Sequence, residues 1–510
     1  MGINLLIQRE KGNRYQYFHI DASDITLLEA LYRAKKIDST LQFRSSCGAG
    51  LCGSCAVTLN GRPVLACQTR LFSGAYVVEP LNGFPVINDL IVDKSRMDIE
   101  EKEIKWLLPR GISENHNPPF FSPCISCGIC VSGCTTQEYH WGARTRLLVA
   151  NYILSRPSLP IISEKAVYNL GMYDDFRILP QEENLDYLYR GMLTCTACGR
   201  CEEFCPKFTH LDRVSLLELA KEKIYMHHAR VYHEKLLRNI PTRNSYGEPH
   251  EKRFAWMPQD ITFSHDADVG IYFGCSACYR TTESAKSIVR ILKHYGIKFT
   301  ASPDEWCCGS TYIRTGLAHD EIKQQFIPHN VAVLQNLNVD TIVTPCSGCF
   351  RTFNKDYPLF YGKLPFKVKH VVQYLVDLVD KGRISLPQVE LKATFHDSCH
   401  MGRGMHEYDA PRKLLQKMGI HIVEMKNCRE TSNCCGGGGG TKSGNPDLAV
   451  RIASKRVKEA LDTGVSIIFT TCVFCTRNLN DAIAVMNAPI RTINIETFLA
   501  NLLYPEGMIP

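Results

Sequence analysis

Cys399, then Asn433-Cys434-Cys435-Gly436-Gly437-Gly438-Gly439-Gly440, then Cys472-Val473-Phe474-Cys475 is the stretch on which the reading turns. Its five thiols have an earlier counterpart in Cys275, Cys307-Cys308 and Cys346-Ser347-Gly348-Cys349, at offsets of 124, 127 and 126 residues. A repeat this regular in unusual residues is an internal duplication. A tetrahedral zinc or an ordinary cubane cluster uses four thiolates, so five per copy exceeds either need. Adjacent cysteines suit an unusual cluster, because one bridging thiolate can grip two neighbouring irons. The ten residues Cys275, Cys307, Cys308, Cys346, Cys349, Cys399, Cys434, Cys435, Cys472 and Cys475 therefore read as two special iron–sulfur sites with a catalytic task.

The rest of the composition narrows the setting. A chain of 510 residues has room for three or four domains. Its net charge of +7 is spread without a basic run, which argues against a nucleic-acid groove. Cysteine is the anomaly: 24 of them, mostly in CxxC or CC clusters, in a chain too large for a disulfide-stapled secreted scaffold. The N-terminal apolar run is too short for a signal peptide, and Leu6 stands where a myristoylation signal wants Ser or Thr. No window approaches the apolar length of a membrane span. The expectation is a cytoplasmic protein whose thiols are held by metal.

Residues 4 to 20 alternate about Lys11-Gly12-Asn13, the pattern of a hairpin, and Asp24 is placed to cap a helix with Leu27, Leu28, Leu31 and Ala34 on its apolar face. Cys47, Cys52 and Cys55, with Cys67 beyond a turn at Asn60-Gly61, give the plant-type [2Fe–2S] spacing. Gly48, Gly50 and Gly53 let the backbone wrap so that amides face the sulfurs. After a linker near 111–119 come Cys124, Cys127, Cys130 and Cys134, then Cys195, Cys198, Cys201 and Cys205. Two such runs describe a two-cluster ferredoxin in which the fourth cysteine of each serves the other's cluster. That assigns Cys124, Cys127, Cys130 and Cys205 to one [4Fe–4S] cubane and Cys195, Cys198, Cys201 and Cys134 to another. Residues 144–154 and 215–237 read as helices around them.

From Asp266 short apolar runs alternate with helical patterns. Residues 269–273, 341–344, 389–395 and 465–471 each lead into a cysteine, with helices over 285–294 and 447–461. Thiols on loops at the carboxyl ends of strands are where open parallel α/β sheets put their sites. The fold class is multidomain: a β-grasp [2Fe–2S] ferredoxin domain over 1–105, an α-helical domain with two [4Fe–4S] clusters over 106–255, and two α/β domains over 256–385 and 386–510. The seam between the copies falls at Lys381-Gly382 to Pro387.

The first half, Cys47 through Pro206, resembles the iron–sulfur subunit of succinate dehydrogenase and fumarate reductase. Cys198 fills a position where that family usually lacks a thiolate, so the resemblance implies [4Fe–4S] in place of [3Fe–4S]. The second half resembles the cysteine-rich subunit of heterodisulfide reductase, with its paired CCG domains. That resemblance implies a noncubane [4Fe–4S] cluster at each quintet and cleavage or formation of the coenzyme M–coenzyme B disulfide between them. The two halves joined are similar to the iron–sulfur subunits of the thiol:fumarate reductase family of methanogenic archaea.

What this resemblance implies is half of a reaction. Coenzyme M and coenzyme B thiols are oxidised to the heterodisulfide at the quintets, and electrons pass through the cubanes and the [2Fe–2S] cluster to an FAD-containing catalytic subunit that reduces fumarate. His396 and His400 flank Cys399 as proton carriers or as groups that orient the loop. Arg280, Arg351, Arg403, Lys442 and Arg477 follow the cysteine motifs and suit a sulfonate or phosphate, or else are solvated surface charges. The glycine run reads as close backbone approach to cluster or substrate. Cys278 and Cys428 read as spare thiols. The rival is a quinol- or quinone-linked enzyme of the same class, which wants a membrane-surface amphipathic segment; the nearest candidate, 483–503, is broken by Pro489.

Overall fold

The computed structural model describes residues 2–10, 14–100, 124–138, 142–154, 191–192, 194–207, 214, 217–222, 230–317 and 319–505. The chain divides into two compact units, Met1–Thr194 with Gly199–Lys223, and Cys195–Cys198 with Ile224–Pro510.

In the first unit β1 (Ile3–Arg9) pairs antiparallel with β2 (Arg14–Ile20), Leu5 opposite Phe18. The alternation of residues 4–20 leads there, although its turn at 11–13 lies outside the described residues. Ile3, Leu5 and Ile7 point into the core and the residues between them point away, the period-two pattern of a half-buried strand. Two-residue strands β3 (Ile25–Thr26) and β6 (Arg70–Leu71) pair with each other. Strands β4 (Ala56–Leu59), β5 (Arg62–Leu65) and β7 (Gly74–Glu79) complete a sheet in the order β2-β1-β7-β4-β5. A small ribbon, β8 (Val86–Asn88) with β9 (Ile91–Val92), follows.

Helix Leu27–Ile37 buries Leu27, Leu28, Leu31 and Ala34 as its spacing predicts, but its cap is not Asp24. Thr26 Oγ1 accepts the Glu29 N–H at 3.1 Å, and Asp24 instead receives Arg70 Nε at 2.8 Å. Pairing of Ile25 with Leu71 keeps the chain extended for two residues past Asp24, so the helix starts later. Further on, helix Ala143–Leu154 matches the expectation over 144–154. Of the helix expected over 215–237, residues 215–216 and 223–229 lie outside the described residues, and Arg230–Arg238 is helical with a kink at His233.

The second unit carries the duplication in its sheets. β10 (Val269–Ile271), β11 (Phe299–Ala301), β12 (Thr341–Thr344) and β13 (Lys367–His370) form a parallel sheet in the order β11-β10-β12-β13. β14 (Leu391–His396), β15 (Ile420–Ile422), β16 (Ile467–Thr470) and β17 (Arg491–Asn494) form a second with the equivalent order β15-β14-β16-β17. The registers coincide: Gly270 faces Ile342 as Thr394 faces Ile468, at the offsets that relate the cysteines. Parallel strands need crossover connections, and helices such as Thr282–His294 and Pro446–Leu461 provide them. The two copies are joined through the core. Ser284 on helix Thr282–His294 donates to Glu496 at 2.5 Å, and Glu496 lies on helix Ile495–Leu503 of the other copy.

Candidate functional site: two thiol quintets on one cavity

Each sheet delivers its cysteines from the carboxyl ends of its strands. Cys275 follows β10, Cys346 follows β12, Cys399 follows β14 and Cys472 follows β16. Cys346 and Cys472 also cap the helices Ser347–Arg351 and Val473–Met486, so the N-terminal ends of both helix dipoles lie beside thiols that must become thiolates to hold iron. The two capping residues form an isolated antiparallel bridge with each other. Ser347 Oγ reinforces this junction by donating to the Thr471 carbonyl at 2.9 Å, and His370 Nε2 does so at 2.7 Å. Because a carbonyl only accepts, that proton sits on Nε2 of His370.

A cavity of about 400 Å³ opens between the motifs. All five cysteines of the first quintet line it, as do Cys399, Cys435, Cys472 and Cys475 of the second. Cys434 is buried behind them, its thiol pushed well up by hydrogen bonds with Cys198, Cys399 and Cys435 and by burial. Equivalent amides serve both CC pairs: Gly309 N–H reaches Cys307 Sγ at 3.5 Å and Gly436 N–H reaches Cys434 Sγ at 3.2 Å. Hydrogen bonds from neighbouring thiols lower the second cysteine of each pair, Cys308 by Cys307 and Cys349, Cys435 by Cys434 and Cys475. Cys275 and Cys307 stand 3.6 Å apart, and none of the 24 cysteines is in a disulfide. Crowded, reduced thiols with amide donors aimed at sulfur are what cluster binding demands, so the donor sets fit iron–sulfur groups.

Charged groups around the cavity sort differently from their sequence positions. Arg280, Lys442 and Arg477 line it, as does Arg314, which sequence reading missed although it lies six residues beyond Cys308. Arg314 is held by an ion pair with Asp356, its Nη1 at 3.1 Å from Oδ1. Arg351, which is buried, and Arg403, which is half-buried, are structural groups instead of lining residues. Arg403, for instance, donates to the carbonyls of Cys198 (2.6 Å) and Ser432 (2.8 Å). His400 lines the cavity; burial and the Arg351 and Arg314 guanidinium groups push it down to about 3, which keeps the imidazole neutral near pH 7. His396 lies behind the second quintet, its Nδ1 accepting from Arg456 Nε at 3.1 Å. Tyr246, also missed, lines the cavity with Arg280 over its ring at 4.5 Å.

Glycines 437–440 also line the cavity, but their conformation answers to packing. A Cβ on Gly438 would come within 2.6 Å of the Thr196 carbonyl, and one on Gly439 within 2.3 Å of the Cys195 carbonyl. The close approach expected of this run is thus to the Cys195-Thr196 backbone. Cys278 is buried in contact with Glu305 (3.8 Å), and Cys428 is half-buried; neither lines the cavity.

In the first unit the loop of Cys47, Cys52, Cys55 and Cys67 is lined with amides. Leu51 and Ala49 N–H groups reach Cys47 Sγ at 3.3 and 3.4 Å, and Gly50 N–H reaches Cys67 Sγ at 3.3 Å. Cys52 is lowered to about 6 by backbone and side-chain hydrogen bonds from Cys47 and Ser54. Gly53 has φ +69°, and a Cβ there would strike Cys127 Cα at 2.9 Å, so this loop meets the first CxxC run directly. Burial raises the Cys127 thiol, and Cys205 and Cys124 are among the groups that act on it electrostatically. Cys134 Sγ accepts from Arg146 Nη1 at 3.4 Å.

Comparison with known proteins follows this division. The cysteine-rich domain family CCG matches residues 269–354 and 393–480, a 2Fe–2S iron–sulfur cluster binding domain matches 4–98, and a 4Fe–4S dicluster domain matches 121–209. The chain is 33% identical to a subunit of the dihydromethanophenazine:CoB–CoM heterodisulfide reductase of Methanosarcina barkeri, over 74% of this chain and 93% of that one. It is 29% identical to a subunit of the fumarate reductase (CoM/CoB) of Methanothermobacter marburgensis, over 94% of this chain and 95% of that one. Among solved structures, a hypothetical protein from Helicobacter pylori shares the fold at a TM-score of 0.57 and 11% identity, covering 100% of this chain and 95% of that one.

Proposed function

We propose a function from one premise: this chain belongs to the CCG-domain iron–sulfur family that includes those two subunits, of heterodisulfide reductase and of fumarate reductase (CoM/CoB). It is the iron–sulfur subunit of a fumarate reductase that takes its electrons from two thiols, coenzyme M and coenzyme B. The two thiols lose two protons and two electrons and form one sulfur–sulfur bond; fumarate takes up two electrons and two protons on an FAD-containing partner subunit. The observation that carries this reading is that nine cysteines from the two quintets open on one cavity, where two sulfurs can meet. The share of this chain matched, 94% against 74%, favours the fumarate reductase relative over the heterodisulfide reductase one.

A noncubane [4Fe–4S] cluster bound at each quintet would supply a thiophilic iron and a one-electron acceptor, and two cubanes and a [2Fe–2S] cluster would supply the redox centres between the quintets and the partner subunit. Cys124, Cys127, Cys130 and Cys205 would hold one cubane, Cys195, Cys198, Cys201 and Cys134 the other. Cys47, Cys52, Cys55 and Cys67 would hold the two-iron centre in a β-grasp domain. The chain's own cavity residues do the recognition. Arg477 lines the cavity where a sulfonate and a phosphate must dock, with Arg280, Arg314 and Lys442, which are ion-paired to Glu248, Asp356 and Asp481. The His400 ring, kept neutral by burial and by Arg351 and Arg314, lines the cavity from which the thiol protons must leave.

The test is an anaerobic assay of the chain with its flavoprotein. Fumarate reduction that depends on both thiols together supports the reading. Turnover with menaquinol but not with the thiols overturns it in favour of the quinone-linked rival. Among the described residues no helix is long and apolar enough to cross a membrane.

A further inference from the structure

The two quintets match in geometry and differ in one neighbour. Tyr272 and His396 occupy equivalent places, each three residues ahead of its copy's first cysteine. Both are buried; the second CC cysteine and the last CxxC cysteine of its own copy, Cys308 and Cys349, act on Tyr272 electrostatically, and their counterparts Cys435 and Cys475 lie within 4.8 Å of a ring nitrogen of His396. The Tyr272 hydroxyl is turned away, donating its one proton to the Trp306 carbonyl at 2.6 Å. His396 has no such outlet.

Its tautomer is fixed by Arg456. The Arg456 Nε donates to His396 Nδ1 at 3.1 Å, and a guanidinium has no lone pair to accept with. Nδ1 must therefore hold the lone pair, and the ring proton sits on Nε2. Arg456 cannot turn to relax this, because its Nη1 is tied to the Asn427 carbonyl and Glu459 (2.7 Å each) and its Nη2 to Ser432 Oγ (3.2 Å). Nε2 is buried with no hydrogen-bond partner, while a ring nitrogen of His396 and the sulfurs of Cys435 and Cys475 all lie within 4.8 Å of one another.

We propose that the His396 Nε2–H is a hydrogen-bond donor to the Cys435 and Cys475 thiolates, so that the second centre has a higher reduction potential than the first. The inference rests on the quintets being cluster sites. An N–H donor to a cluster sulfur stabilises the added negative charge of the reduced state, and such bonds are among the factors that set cluster potentials. Ligation of iron by Nε2 is disfavoured: it would move the proton to Nδ1 and set two N–H groups against each other at Arg456. His396 is thus a positioning residue that makes the second site the stronger electron acceptor, while Tyr272 leaves the first without that aid.

Anaerobic redox titration followed by electron paramagnetic resonance tests this on the full chain. In His396→Phe one of the two noncubane midpoints should move negative and the other stay, and His396→Gln, which keeps an N–H donor, should recover part of the shift. Tyr272→Phe should move neither, because that hydroxyl serves a carbonyl. Full iron content with unmoved midpoints in His396→Phe overturns the inference alone. Nitrogen-15 hyperfine coupling in the unaltered chain decides the matter should His396→Phe lose iron: weak histidine coupling supports a hydrogen bond, and strong coupling, meaning direct ligation, or none overturns it. An unaltered chain in which the quintets bind no iron overturns the cluster reading and this inference together.

Discussion

Cys346 and Cys472, the first thiols of the two CxxC motifs, are joined backbone to backbone in an isolated antiparallel bridge. Hydrogen bonding between their side chains lowers Cys472 well below and raises Cys346 well above the ordinary thiol range. Equivalent cysteines of the two copies therefore meet in one wall of the cavity.

Replacing either one separates the two sites' contributions. Cys346→Ser or Cys472→Ser should each cost about four of the roughly 18 irons of the full set. Thiol-dependent fumarate reduction should fall by at least about a hundredfold in both, since one remaining site cannot hold two sulfurs. Iron and sulfide counting with parallel thiol and artificial-donor assays checks this; thiol turnover surviving in either variant would show that one site suffices.

Cys198 has two claims on it, as a cubane thiolate and as a hydrogen-bonding neighbour of Cys434. Cys198→Ala should leave a [3Fe–4S] signal in place of one cubane and lower the iron count by about one. A [3Fe–4S] signal already present in the unaltered, anaerobically prepared protein would show that Cys198 serves Cys434 alone.

Gly439 should tolerate nothing larger. It has φ +61°, and a Cβ would lie 2.3 Å from the Cys195 carbonyl. Gly439→Ala combines backbone strain with a backbone clash and should cost about 3 kcal/mol. Gly464→Ala, at φ +73° with open space around it, should cost about 1 kcal/mol. Denaturation under nitrogen compares them, and equal costs would mean that the Cys195 segment yields.

Glu496 gives a pH signature. Burial raises its carboxyl from 4.5 to about 7, outweighing the donors Ser284 and Asn494, and both donors reach Oε1 while Oε2 is buried without a partner. A raised acid is favoured in its protonated form by the folded state. Its contribution is whole below pH 4.5 and is lost as pH climbs through about 7, on the order of 3 kcal/mol in all. Glu496→Gln should lack that slope, so the difference between the two proteins' stability curves should carry it between pH 4.5 and about 7. Parallel curves across this window would refute it.

Much of this was legible because the duplicated cysteine spacing mirrors the duplicated strands that deliver the thiols. The offsets that relate Cys275 to Cys399 and Cys346 to Cys472 return as strand register, Gly270 to Ile342 and Thr394 to Ile468. What stayed hidden depends on partners far along the chain. Asp24 looks like a cap until Leu71 pairs with Ile25. The glycine run reads as close backbone approach to cluster or substrate, and only the fold shows that Gly439 also packs against the Cys195 carbonyl. Arg351 follows its motif by two residues and Arg314 by six, yet packing puts the farther one on the cavity and leaves the nearer one off it.

The seam between the copies, from Asp380 to Leu391, is a plain connector, yet it does what no side chain does. Cut there, the halves would have to find each other by diffusion, and the meeting of two sulfurs would weaken with every dilution. Tethered, each half sees the other at an effective concentration on the order of millimolar or above, however scarce the protein is.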